Sequence, residues 1–249
     1  MKIRNAVKIA TVSALMLTGT QAIALELGAG FEGSANIGFV SNYMWRGFSQ
    51  TRNGVAVQGG VDITHSSGLY AGTWISNVDF KLAPKAHTEH DIYLGYGFDV
   101  GDFAFDLKYT KYMYDNANAL DFTETHAQVS YDAGGLGSFA LGVDYSDDTP
   151  IINTDSAIHY YGSYSYSLPI GVDLTATLGR YDFKDSGWVG GTDSKYSYYN
   201  IGVAKEFYGI NVGLAYTDSN IDDSNCSAFA GGSNYCGGAF VLSAAKTFE

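Results

Sequence analysis

Past residue 24, no stretch of the chain stays apolar for the roughly 20 residues that a transmembrane helix takes, so passage of a membrane by helices is excluded. Positive charge is scarce: 14 Lys and Arg stand against 26 Asp and Glu, for a formal net charge of −12. That balance excludes nucleic acid as a partner, because phosphate binding needs basic patches. The sequence patterns of common catalytic sites are missing as well. There is no Gly-x-Ser-x-Gly, no phosphate loop and no His-Glu-x-x-His, and no cofactor is implied. Proline falls to 3 residues, beside 31 Gly, 20 Tyr and 14 Phe. Such a composition suits strands and aromatic girdles rather than helices. The mean hydropathy of −0.05 reads, taken alone, as a soluble chain. A membrane β-barrel gives the same bland average, because only alternate residues face lipid.

The N-terminal 24 residues have the layout of an export signal. Lys2, Arg4 and Lys8 form a positive start, Ile9 to Leu17 a short apolar run, and Ala22-Ile23-Ala24 a small-x-small cleavage pattern. The run is too short to act as a membrane anchor. Residues 1–24 are therefore expected to be a removable signal peptide, and residues 25–249 one exported domain. Loss of Lys2, Arg4 and Lys8 takes the formal charge from −12 to −15. In an exported chain the 2 cysteines, Cys226 and Cys236, in a Gly/Ser/Asn-rich stretch, read as a disulfide. Closing so small a loop contributes roughly 3 kcal/mol in the chain-entropy treatment. A metal site would need further ligands, and no His is close in sequence.

From residue 25 onward, apolar and polar side chains alternate with the period of two that marks strands. Val55, Val57, Val61 and Ile63 share one face, and Ala56, Gln58, Gly60, Asp62 and Thr64 the other. Twelve such segments are predicted, at 34–46, 54–65, 69–79, 88–100, 103–114, 122–132, 139–147, 157–168, 172–182, 196–207, 210–219 and 238–248. Each is long enough for a tilted membrane-crossing strand of about 9–11 residues. The connections alternate in length. Short ones fall at 66–68, 101–102, 133–138, 168–171 and 207–209, and long polar ones at 47–53, 80–87, 115–121, 148–156, 183–195 and 220–237. Outer-membrane barrels sort their loops in this way. The expected fold is all-β: a transmembrane, antiparallel, up-and-down β-barrel in a bacterial outer membrane, with both termini on the periplasmic, short-turn side. Its partners would be outer-membrane lipid and lipopolysaccharide. Phe248, followed by Glu249, resembles the C-terminal aromatic signal that barrel-assembly machinery reads.

The apolar face carries Arg180, Lys205 and Lys246 near strand ends, where long side chains reach the headgroups. At the bilayer midplane each would cost about 2–4 kcal/mol. The opposite face carries Arg46, Asp62, Asp91, Asp106, Lys108, Glu124, His126, Asp144, His159 and Asp173, together with Asn36, Gln128, Asn200 and Glu206. Its seven carboxylates cannot all be paired by Arg46 and Lys108. Unpaired charge is very costly away from water, so a hydrated, narrow lumen is expected. An acidic lining favours cations. Arg46 and Lys108 either pair with Asp62 or Asp106 and stiffen the wall, or form a selective constriction. His65 with Ser66 and Ser67, His126 with Glu124, and His159 with Tyr161 are where catalysis would be sought, but hydrogen-bonded wall positions are the expectation. His87, Glu89, His90 and Asp91 form a tract that a metal could use, of a kind common in solvated loops.

One segment is more specific. Ser41-Asn42-Tyr43-Met44-Trp45-Arg46-Gly47-Phe48-Ser49-Gln50-Thr51, after Ala35-Asn36-Ile37-Gly38-Phe39-Val40, resembles the opening strand and loop of the TorF family of porin-like proteobacterial proteins. The likeness extends through residues 54–62 to the aromatic C-terminus. It implies an outer-membrane location and a pore, and brings no catalytic residue. In this motif Tyr43 and Trp45 would face lipid as girdle aromatics. Arg46 would point inward at the mouth, and Gly47 would turn the chain into the first loop. The leading expectation is a channel for passive diffusion of small hydrophilic solutes with a modest cation preference. The alternatives are an outer-membrane enzyme built on His126 or His159, and a plugged barrel that binds partners through loops such as 226–236.

Overall fold

In the computed structural model, residues 25–80, 85–147, 154–185 and 194–248 are described. The expected signal peptide, Glu249 and parts of three long connections (81–84, 148–153 and 186–193) lie outside the described residues. The strands are β1 (Leu25–Gly28), β2 (Phe31–Val40), β3 (Met44–Trp45), β4 (Phe48–Ser49), β5 (Ala56–His65), β6 (Leu69–Asn77), β7 (Thr88–Val100) and β8 (Phe103–Tyr114). They continue with β9 (Phe122–Asp132), β10 (Ser138–Ser146), β11 (Ala157–Leu168), β12 (Val172–Phe183), β13 (Lys195–Phe207), β14 (Ile210–Ser219) and β15 (Ala239–Phe248).

From β5 to β15 each strand pairs antiparallel with the next, and β2 pairs with both β5 and β15. The result is a closed ring of twelve strands. Closure satisfies every wall strand on both edges, as hydrocarbon requires. β1 is a short addition that pairs with Gly33, Glu32 and Phe31 of β2, beyond Ala35, where β15 ends. All the short turns, and both ends of the described chain, lie at one end of the barrel; the long connections lie at the other.

Alternation decides which side chains point out. Val57, Val61 and Ile63 of β5 are exposed on the outside, as are Leu94, Leu141, Leu178, Ile201 and Leu242 around the ring, while Ala56 and Gln58 are buried inside. Each large outer side chain gains about 1.5–3 kcal/mol when it leaves water, and no layer of protein covers this face among the described residues. The outer cations are accommodated at strand ends, with Arg180 bonded to Asp182 at 2.7 Å and Lys205 donating to the Ile170 carbonyl at 3.0 Å.

Inside, tyrosine rings lie over glycines of adjoining strands. Tyr70 pairs in register with Gly95, and Tyr161 with Gly142. A Cβ at either glycine would stand 2.2 Å from the ring. Glycine there lets a large ring lie along the wall instead of across the bore.

The observed strands match the predicted spans to within two residues, except the first, which stops at Val40 rather than at residue 46. There Ser41 caps the ring by accepting from the Leu242 amide at 2.9 Å, and the chain turns into the barrel. At the same end, helix α1 (Asp223–Ala230) is capped by the Asp222 carboxylate on the Asn225 amide. The predicted Cys226–Cys236 disulfide is formed, with both cysteines buried.

Candidate functional site

The segment after Ser41 folds back as a hairpin of β3 and β4 joined by Arg46 and Gly47. Their φ angles of +47° and +89° give the two-residue, left-handed turn typical of tight hairpins. The Gln50 amide bonds to the Tyr43 carbonyl at 2.7 Å and extends the ladder. The hairpin leaves the wall at β2 and rejoins it at β5, while Arg46 reaches β9 and β10. β10 is the sixth strand from β2 by either route round the ring, so the hairpin crosses the whole bore. Gly47 presses on the side wall at β13 and β14: a Cβ there would lie 2.7 Å from Tyr198 Cβ and 2.9 Å from Ser219 Cβ.

Tyr43 and Trp45 therefore do not face lipid. Both are buried in the barrel, together with Met44 and Phe48. The girdle reading assumed a strand that ran on to residue 46. Once the chain turns at Ser41, the same side chains meet the aromatic interior. Trp45 meets Phe122 and Tyr181 edge-on, with centroids 6.4 and 5.8 Å apart. Tyr43 packs on Trp74 at 5.5 Å and donates its hydroxyl to Glu89 at 2.8 Å. With Tyr112, Tyr181, Phe183, Tyr196 and Tyr198, these residues fill the long-loop half of the bore.

Arg46 does point inward, but its partners are not Asp62 or Asp106. Its two terminal nitrogens each bond to Glu124 at 2.9 Å, and one also bonds to Asp144 Oδ2 at 3.0 Å. The guanidinium lies over the rings of Trp45 and Tyr181, 4.5 and 4.8 Å from their centroids. Because the hairpin spans the bore, Arg46 lands on the strands opposite its own. Asp144 also bonds to His126 Nδ1 at 2.5 Å and His159 Nδ1 at 2.7 Å. His159 Nε2 lies 3.0 Å from the Tyr198 hydroxyl, and His126 Nε2 3.6 Å from Asp106. A buried guanidinium is tolerable only when bidentate carboxylate contacts and stacked rings satisfy it in this way.

The structure thus brings together Arg46, Asp106, Glu124, His126, Asp144 and His159. Tyr70 donates to Asp106 at 2.7 Å. Asp62 accepts from the Tyr93 hydroxyl nearer the short-turn end. Lys108 is paired in register with His126, and its ammonium lies 5.9 Å from the Tyr93 ring. No carboxylate stands within 4.0 Å of that ammonium among the described residues. Asp91 is buried beside its cross-strand neighbour Trp74. Asp173 sits apart at the short-turn rim, where Ser167 donates to it at 2.5 Å.

Sequence reasoning passed over Glu89 as part of a loop tract, although it shares the inward parity of Asp91. His90 points outward to Thr73, so alternation splits that tract between two faces. Among the described residues, no group of three or more His, Cys, Asp or Glu is placed to hold a metal.

Residues 25–248 match a family described as bacterial protein of unknown function (Gcw_chp). No curated protein matches the chain. Among solved structures, a KdgM porin superposes with a TM-score of 0.58 at 7% identity, covering 87% of this chain and 99% of that one. A NanC porin gives 0.56 at 9% identity, with the same coverage. A KdgM porin in complex with disordered oligogalacturonate gives 0.57 at 5% identity, again covering 87% and 99%. At such identities the likeness establishes the fold, a porin-type barrel.

Proposed function

We propose, for a chain that belongs to the Gcw_chp family of bacterial proteins of unknown function, that it is an outer-membrane channel for passive diffusion of small hydrophilic solutes, with a modest cation preference. On this reading it is exported by the signal peptide at residues 1–24 and inserted by barrel-assembly machinery through the strand ending at Phe248. The resemblance of residues 41–51 to the TorF family agrees with it. The observation that carries the reading is the short-turn half of the bore. There Asn36, Asp62, Lys108, Gln128, Ser163 and Thr175 all point inward and remain partly exposed inside a closed, outwardly apolar barrel. A polar bore within such a barrel has a use for water-filled passage.

The cation preference follows from charge. Arg46 is occupied by Glu124 and Asp144, which leaves Lys108 as the unpaired cation of the inner face of the wall among the described residues, against Asp62, Asp91 and Asp106. Such a lining repels polyanions, so the oligogalacturonate of the KdgM complex is not carried over to this chain. The row Asp144–His159–Tyr198 has the look of an oriented catalytic imidazole. All three are buried and Asp144 is shared with Arg46, which favours a structural network over a catalytic one.

The test is recording in planar bilayers under a KCl gradient. Discrete conductance steps with a reversal potential favouring K⁺ are expected, and Asp62→Asn with Asp106→Asn lowers that preference. Folded, heat-modifiable protein that gives no steps contradicts the reading.

A further inference from the structure

We infer that the hairpin of residues 41–54 is a releasable plug, latched at its tip by Arg46, and that the latch sets how far the bore conducts. This inference rests on the channel reading and concerns its regulation.

The hairpin is built as a unit that can move whole. Ser49 donates to Asn42 at 2.6 Å and accepts from the Asn53 amide at 2.8 Å. Thr51 accepts from the Tyr43 amide at 3.1 Å and donates to the Gly54 carbonyl at 2.5 Å. These bonds stay within the segment. Beyond the segment, Tyr43 donates to Glu89 of β7 and Arg52 pairs with Asp79, while the charged hold on β9 and β10 comes, among the described residues, from Arg46.

Arg46 is also the wrong residue for its turn. A two-residue turn with both φ angles positive favours Asn, Asp or Gly at its first position. An arginine held at φ +47° is a strained choice. Strain of this kind is retained where it serves a function. What arginine adds here is reach and a bidentate charge aimed at Glu124 across the bore.

The wall is satisfied without the latch. If Arg46 leaves, Asp144 keeps His126 and His159. Glu124 keeps the Tyr112 hydroxyl at 3.3 Å and the Ser146 hydroxyl at 3.5 Å. The guanidinium itself passes to water. Partners are thus present in both arrangements, as a two-state element requires.

The test uses the full-length mature protein in planar bilayers. Arg46→Asn removes the charge while giving the turn a residue it favours, so the hairpin still forms. Its mean conductance is expected to exceed that of the wild type by at least about tenfold, the factor set by loss of one charge-assisted contact. The charge swap Arg46→Glu with Glu124→Arg is expected to restore the wild-type level. A wild-type conductance from R46N overturns the latch and leaves the channel standing. A swapped protein as open as R46N overturns the pairing of Arg46 with Glu124. Silence from wild type and R46N alike overturns the channel reading itself.

Discussion

Replacing Asp144 by Ala should destabilise the barrel far more than removal of a carboxylate at its rim. Asp144 is buried and accepts from Arg46 at 3.0 Å, His126 at 2.5 Å and His159 at 2.7 Å. Its removal strips two buried imidazoles of their anchor and leaves Arg46 with Glu124 alone. Breaking a buried, hydrogen-bonded charge pair costs about 3–5 kcal/mol. The retained bidentate contact to Glu124 puts the expected loss near the lower limit, about 3 kcal/mol. The control is Asp173→Ala at the solvated rim, where a single exposed contact is worth less than about 1 kcal/mol. Equilibrium unfolding in detergent or lipid, followed by tryptophan fluorescence, compares the two. A loss for Asp144→Ala as small as that for Asp173→Ala would refute the claim that this carboxylate organises the interior.

Three further outcomes are expected. Gly142→Ala sets a methyl against the Tyr161 ring, which a Cβ would approach to 2.2 Å, and turns that ring toward the bore; single-channel conductance should fall. Replacing Cys226 and Cys236 by Ser releases a loop closed over a separation of 10 residues, with a loss of up to about 3 kcal/mol in denaturant titration. Asp115 accepts from the backbone amides of His87 and Thr88 at 2.6 Å each, which holds its carboxyl below the ordinary range. Its folded pKa is thus depressed, so the tie is at full strength above the ordinary carboxylate value near ~4 and is lost as pH falls through the lower folded value. A spin label at Asn118 should gain mobility on acidification through that window, and Asp115→Ala, which removes the acceptor, should make the label mobile at every pH.

Legibility followed the range of the determining contacts. The bounds of β7 and β8 were readable because alternation is local and each residue reports its own face. For the same reason the parity of Asp106, Glu124, His126, Asp144 and His159 assigns them to the inner wall. Their convergence was not readable, since Arg46 meets Glu124 and Asp144 from 78 and 98 positions away. The expected pairing of Arg46 with Asp62 assumed a strand that stays in the wall. What sends the chain inward at Ser41 is the aromatic interior contributed by β9, β12 and β13, which nothing near Ser41 encodes. One local signal was present: Arg46-Gly47 between Trp45 and Phe48 is a two-residue turn flanked by apolar residues, a hairpin pattern. The disulfide was readable because its spacing and compartment suffice without tertiary information.

The position of the hairpin is open to direct measurement. With Trp74 and Trp188 replaced by Phe, the emission of Trp45 can be followed in bilayers containing brominated acyl chains. A hairpin folded across the bore predicts that Trp45 escapes quenching by these lipids. Quenching as deep as that of a tryptophan placed on the outer wall at Leu141 would contradict it.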